Sequence, residues 1–197
     1  MSIRKETVCL YDENDILVES ELIYSILDFS LKHWREDWRY FGEECNVSSD
    51  LSEEHLHWDW AEKLKYVDNL LGYSCFSVIS QSMTQGMMIT NEFKLSKLKG
   101  SFNLPIIYID YLESAPWNRR SWRNGKKRLR PVGSILIGAA INLSLERGYK
   151  GRVGLHALPQ AIGFYSKSGM ENLGKDPEYE NLCYFEMTPE NASEFLK

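Results

Sequence analysis

Residues 128–148 constrain this chain more than any other stretch. They begin as a basic loop, turn at Pro131 and Gly133, and continue as an apolar run that predicts a helix ending at Gly148. The first backbone N–H groups of such a helix have no acceptor within it and point at whatever lies in front. With the helix dipole behind them and Arg128 and Arg130 beside them, they form a site suited to an anion, above all a phosphate. On either side the pattern is extended. Residues 104–113 are a near-continuous apolar run, as expected of a strand covered on both faces, and residues 152–156 read as another strand.

Before this core, residues 3–10 predict a short first strand. Residues 16–41 carry apolar groups at helical spacing and predict one or two helices, with Ser20 as a break or cap. Residues 42–62 hold seven carboxylates and neither Lys nor Arg. A turn is expected at residues 48–50, and Ser52 with Glu54 predicts a helix over 52–71 that ends at Gly72. The period then changes. Residues 73–80 and 85–94 are rich in aromatic and β-branched residues around a polar turn, which predicts a hairpin. Residues 159–170 read as a second helical segment, residues 171–173 and 182–188 as closing strands, and the last residues as a short helix.

At 197 residues and 43% hydrophobic content, one domain over 1–197 with a sizeable core is expected. No apolar run is long enough to cross a bilayer, and no signal core follows the N-terminus, so no membrane partner is expected. Cys9, Cys45, Cys75 and Cys183 form no metal-type pair, which points to reduced thiols in a cytoplasm. His55, His57, Cys45 and Glu54 offer ligand chemistry, but residues two apart on a helix do not share a face, so no metal is expected.

The spacing Arg128-x-x-Pro131-x-Gly133 resembles the Arg/Gln-x-x-Gly-x-Gly/Ala loop of the GNAT acyltransferase superfamily, with Pro131 at the middle glycine. Residues 159–170 resemble a second segment of that family, through Ala161, Phe164, Tyr165 and Gly169; Leu158 stands where the family often has Asn. The resemblance spans residues 73–188. It implies an α/β fold with a mixed, mostly antiparallel sheet of six to seven strands flanked by about four helices. The strands before and after the phosphate helix would run parallel and splay apart. Residues 104–170 would form the cofactor core, and the helices of 16–71 would contribute to the acceptor site.

The same resemblance implies acetyl-coenzyme A as cosubstrate and transfer of its acetyl group to a primary amine by direct attack. Arg128, Leu129, Arg130, Pro131, Val132, Gly133 and Ser134 would hold the pyrophosphate, and backbone of Leu112, Glu113 and Ser114 would pair with the pantetheine. Tyr165 would protonate the departing thiolate, since a phenol is a weak acid suited to that step. For the general base, Asp110 and Glu113 lie on the strand lining the acetyl group but on opposite faces, and Glu113 is the preferred one. His156 is a further candidate whose plain reading is structural.

Two other readings stay open from sequence: a non-catalytic acyl-coenzyme A binder or sensor, and an RNA-binding module using residues 117–130. That stretch holds seven cations within residues 119–130, with Trp117 and Trp122 between or beside them as stacking surfaces. A net charge of −5 argues against nucleic acid. The acceptor is a small molecule or a peptide, and a homodimer is compatible with this reading. The four early tryptophans, Trp34, Trp38, Trp58 and Trp60, are core or the wall of an acceptor cleft.

Overall fold

The computed structural model describes residues 3–39, 58–119 and 128–197. Within them the chain forms a mixed, mostly antiparallel sheet of nine strands with five α-helices. The strands are β1 (Lys5–Asp12), β2 (Leu17–Ile23), β3 (Tyr73–Ser80), β4 (Met83–Asn91), β5 (Ile107–Ser114), β6 (Leu129–Arg130), β7 (Val153–Ala157), β8 (Glu171–Asp176) and β9 (Leu182–Met187). Their order is β6-β1-β2-β3-β4-β5-β7-β9-β8. The helices are α1 (Asp28–His33), α2 (Trp60–Val67), α3 (Val132–Glu146), α4 (Ile162–Lys167) and α5 (Pro189–Phe195). The chain groups into two compact units, residues 1–88 with 112–136 and residues 89–111 with 137–197.

In the first unit, β1 and β2 form a hairpin where helix was expected. Asp12 makes the turn: its Oδ1 accepts from the N–H groups of Asn14 (2.8 Å) and Ile16 (2.9 Å), and Asp15 takes φ +63°. Beyond the turn Ser20 and Leu22 are buried while Glu19 and Glu21 are exposed, a two-residue alternation that favours a strand over a helix. Ser20 is therefore a strand residue, its hydroxyl bonded to the Val18 carbonyl. The helix expected over 16–41 begins only at Asp28. It widens into a π-helical turn at Trp34–Trp38, which buries both tryptophans.

Helix α2 stops earlier than the expected end at Gly72. Asp59 is its N-cap, accepting from the Glu62 N–H at 3.0 Å, and the chain leaves the helix at Asp68. The turn expected at 48–50 and the helix entrance at Ser52 lie outside the described residues. Trp60 is fully buried and Trp58 half-buried, so Trp34, Trp38 and Trp60 are core. The β3–β4 hairpin turns on Gln81 and Ser82, both at positive φ (50° and 60°), the two-residue turn whose twist suits antiparallel strands.

In the second unit, β5 and β7 pair in parallel, Ile107 with Val153, Tyr108 with Gly154 and Ile109 with Leu155. The pairing ends there, although Asp110 and Tyr111 continue β5 and His156 and Ala157 continue β7. β9 closes the sheet against β7, and β8 pairs with β9 across an irregular register. Helix α5 is capped by Thr188 and packs Phe195 and Leu196 near Gly138 of α3. Gly151, at φ +80°, sits where a Cβ would lie 2.7 Å from Ala192, so only glycine fits. Among the described residues, the strands beyond those expected are β2 and the two-residue β6.

Candidate active site

The loop singled out in sequence lies in the first unit, and its geometry follows from how few of its amides are already used. Leu129 donates its N–H to Asn118 Oδ1 at 2.9 Å and pairs with Asp12 as part of β6, so its amide is committed to the fold. Arg130 pairs with Tyr11; its guanidinium binds the Asp12 carbonyl (2.5 Å) and the Asp15 carboxylate, which ties it to the β1–β2 turn. Pro131 has no N–H. The first helical bond of α3 runs from Ile135 N–H to the Pro131 carbonyl at 3.1 Å. The amides of Val132, Gly133 and Ser134 thus have no acceptor within the helix. Gly133 and Ser134 are half-buried, and Arg128 is exposed just before them. Gly133 does not take a positive φ, so its value is its small size rather than its backbone freedom.

What fixes the start of α3 is Gly86 of β4. A Cβ there would lie 2.7 Å from Val132 Cγ1, 3.1 Å from Leu136 Cδ1 and 3.3 Å from the Glu113 carbonyl. The strand before the loop is anchored just as closely. Ala115 donates to the Gln85 carbonyl at 2.8 Å, and the Gln85 side chain accepts from Trp117 Nε1 and Asn118 Nδ2, both at 2.9 Å. Trp117 is therefore buried and not a surface for stacking bases. Trp122 and the cations between Arg119 and Arg128 lie outside the described residues.

Glu113 is buried, and both carboxylate oxygens are engaged. Oε2 accepts from Trp60 Nε1 and Oε1 from Arg119, each at 2.5 Å. Arg119 also donates Nε–H to the Ser114 carbonyl at 2.9 Å. The Ser114 oxygen is thus used by the protein, while the Leu112 to Ser114 backbone otherwise ends β5 as expected.

In the second unit Asp110 accepts from Asn91 Nδ2 at 2.8 Å. Tyr165 lies on α4 and is buried, its ring 5.2 Å from Phe164 and 6.0 Å from Phe185. Burial raises its phenol well above the ordinary value, so the hydroxyl stays protonated near neutral pH. Gly169, at φ +79°, closes α4, and Met170 N–H returns to the Tyr165 carbonyl at 3.2 Å.

One group in this unit is joined to more than sequence indicated. His156 Nδ1 lies 2.6 Å from Tyr108 Oη, and Nε2 lies 3.0 Å from Asp176 Oδ2. The same Asp176 oxygen accepts from Lys97 at 2.7 Å. The Tyr179 ring stacks on the imidazole at 3.8 Å. Among the described residues no cluster of acidic, histidine and cysteine side chains is arranged to hold a metal ion. Likewise no helix is long and apolar enough to cross a membrane.

No family model matches the sequence, and no curated protein matches it. Solved structures match by fold. A bacterial toxin superposes with a TM-score of 0.55 at 13% identity, covering 99% of this chain and 96% of its own. A protein from Desulfovibrio desulfuricans assigned to the GNAT family of acetyltransferases gives 0.52 at 10% identity, with 86% and 99% covered. The PaiA N-acetyltransferase from Thermoplasma acidophilum, solved with coenzyme A, gives 0.51 at 14%, with 95% and 99% covered. The fold is that of the GNAT acyltransferases, as the loop and the tyrosine segment imply.

Proposed function

We propose that this protein is an N-acyltransferase that moves the acetyl group of acetyl-coenzyme A to a primary amine on a small molecule or peptide. The observation that carries the reading is the start of α3, where Val132, Gly133 and Ser134 present three backbone N–H groups without helical acceptors at the positive end of a 15-residue helix. Two features of a different kind support it: β5 and β7 stop pairing after Ile109 and Leu155 while both run on, and GNAT enzymes share the fold. Pro131 fits this site, because an amide with no N–H at the position before the helix costs the cradle nothing.

Acetyl-coenzyme A would supply the acetyl group already activated as a thioester. Val132 to Ser134 amides, with Arg128 beside them, would bind its pyrophosphate. Leu112 and Glu113 backbone would hold the pantetheine. A strand N–H would stabilise the developing oxyanion as the amine attacks. As the C–N bond forms and the C–S bond breaks, the amine would lose a proton, the Tyr165 hydroxyl would protonate the leaving sulfur, and the Tyr165 oxygen would then regain a proton from solvent. Glu113 receives a positioning role, since Trp60 and Arg119 already occupy both its oxygens. Asp110 remains a carboxylate that can orient the amine.

The test is release of free thiol from acetyl-coenzyme A in the presence of amines, amino acids, polyamines, aminoglycosides and peptides. Thiol release that depends on one class of amine, with the acetylated product seen by mass spectrometry, is expected. Tight binding of acetyl-coenzyme A with no release across the panel would instead favour a binder or sensor.

A further inference from the structure

Apart from Tyr165, the second unit holds an unbroken line of protonatable groups that runs from strand to solvent. It starts at Tyr108, 5% exposed on β5, and passes through His156, whose side chain is equally buried. Asp176 follows, and the line ends at Lys97, whose side chain is 52% exposed. Tyr108 lies one residue before the last β5–β7 pair, and His156 one residue after it, so both side chains arise where the two strands cease to pair.

The chemistry of the partners fixes the protons. Asp176 is held well below the ordinary carboxylate range by hydrogen bonds from Lys97 and His156, so it is an acceptor only. Nε2 of His156 must then carry the hydrogen. Burial, helped by the ammonium groups of Lys97 and Lys94, lowers the histidine pKa, so the ring is neutral and Nδ1 is a free acceptor. Tyr108 therefore donates its O–H to Nδ1. The remaining neighbours do not compete for these protons. Tyr179 stacks on the ring and takes its own hydrogen bond from Lys94, while the Tyr184 ring is tilted against it at 4.7 Å. Glu186, near Tyr184, is occupied by Ser96 Oγ and the Lys97 N–H.

We propose that Tyr108, His156 and Asp176 form the proton outlet for the attacking amine. The proposal rests on the acyltransfer reading above. As the C–N bond forms, the amine proton passes to Tyr108 Oη while the Tyr108 proton moves to His156 Nδ1. The imidazolium formed is stabilised by Asp176 and, once the product has left, returns its extra proton to water by the reverse of the same path, Nδ1 to Tyr108 Oη and Tyr108 to solvent. Tyr108 is the catalytic residue of the three, because it touches the amine. His156 and Asp176 act through it.

The experiment measures acetyl-coenzyme A binding and amine acetylation for the wild type, His156→Gln and Tyr108→Phe across the pH range in which histidine titrates. A glutamine amide can accept from Tyr108 and donate to Asp176 but cannot take up a proton. His156→Gln should therefore keep cofactor affinity and melting temperature, lose roughly 10²–10⁴-fold in kcat, and lose the acidic limb of the wild-type profile. Tyr108→Phe should show the same kinetic loss, and it serves if the glutamine variant fails to fold. Near-wild-type turnover with an unchanged pH profile in either variant would reduce the line to a structural network and overturn the proposal. A wild type that binds acetyl-coenzyme A but acetylates no amine would also overturn it and leave the cofactor site standing. Absence of acetyl-coenzyme A binding would refute the acyltransferase reading itself.

Discussion

Gly86 offers a quantitative handle on what holds the start of α3 in place. In Gly86→Ala the new Cβ would meet Val132 Cγ1 at 2.7 Å, closer than carbon atoms pack, with Leu136 Cδ1 at 3.1 Å and the Glu113 carbonyl at 3.3 Å. Val132 is buried and β-branched, so it has no flexible end to swing aside. Either β4 or the first turn of α3 must move. Overpacking of this kind costs about 1–3 kcal/mol. For a chain of this size that is about 2–12 °C in melting temperature. Because Val132, Gly133 and Ser134 are the cradle, the same displacement should weaken acetyl-coenzyme A binding. The decisive variant is the double one. Val132→Ala removes the methyl that clashes, so Gly86→Ala/Val132→Ala should be more stable than the sum of the single changes allows, by a coupling of about 0.5–3 kcal/mol. Denaturant unfolding of the four proteins measures it. Strict additivity, or an unchanged midpoint for Gly86→Ala, would refute the argument that Gly86 is there to admit α3.

Arg119→Ala should destabilise by about 3–5 kcal/mol in chemical unfolding, since it leaves the Glu113 carboxylate buried without its counterion; a loss under about 1 kcal/mol would mark the pair as surface-like. Tyr165→Phe should leave cofactor affinity and stability nearly unchanged while turnover falls roughly 10²–10⁴-fold, measured by thiol release; a large loss of stability instead would identify its hydroxyl as a structural group. Acidification tests His156 through its lowered pKa. Between its folded value and the ordinary value near 6.5, the unfolded chain binds more protons, so this residue's contribution is complete above that window and is lost as pH falls through it. The slope is bounded by one proton, about 1.36 kcal/mol per pH unit, and His156→Gln should remove it. Cys75, whose thiol burial pushes up to about 11, should alkylate far more slowly than exposed Cys9 at neutral pH, as read by mass spectrometry.

How legible this molecule was from sequence differs element by element. The parallel strands around α3, the helix itself with its Gly148 stop, the tyrosine segment and the β3–β4 hairpin are all encoded locally, by period and by turn residues. Residues 16–27 misled because Leu22, Ile23, Ile26 and Leu27 fit a helical stripe, while Ser20, a polar residue buried in a strand, hid the two-residue alternation. The stronger signal was the acidic turn, where Asp12 captures two amides and makes a hairpin. Asp59, three residues before Glu62, caps a helix start that the sequence reading passed over. At the site, the loop residues could be named but not their partners. That Leu129 and Arg130 are spent on Asn118, Asp12 and Asp15 depends on contacts with distant β1. The link from Tyr108 to His156 spans 48 residues and that from His156 to Asp176 spans 20, distances at which no sequence period operates.

Calorimetric titration of acetyl-coenzyme A into the wild type and Gly133→Val reads whether the three amides at the start of α3 hold the coenzyme A pyrophosphate. Gly133 does not occupy the left-handed region, so valine there adds bulk at the cradle without straining the backbone. One binding event is expected in the wild type and an affinity at least about tenfold weaker in the variant, a difference of about 1.4 kcal/mol or more, with the melting temperature of the unliganded variant close to that of the wild type. Equal affinities in the two proteins, or no binding heat in the wild type, would contradict that role for the amides.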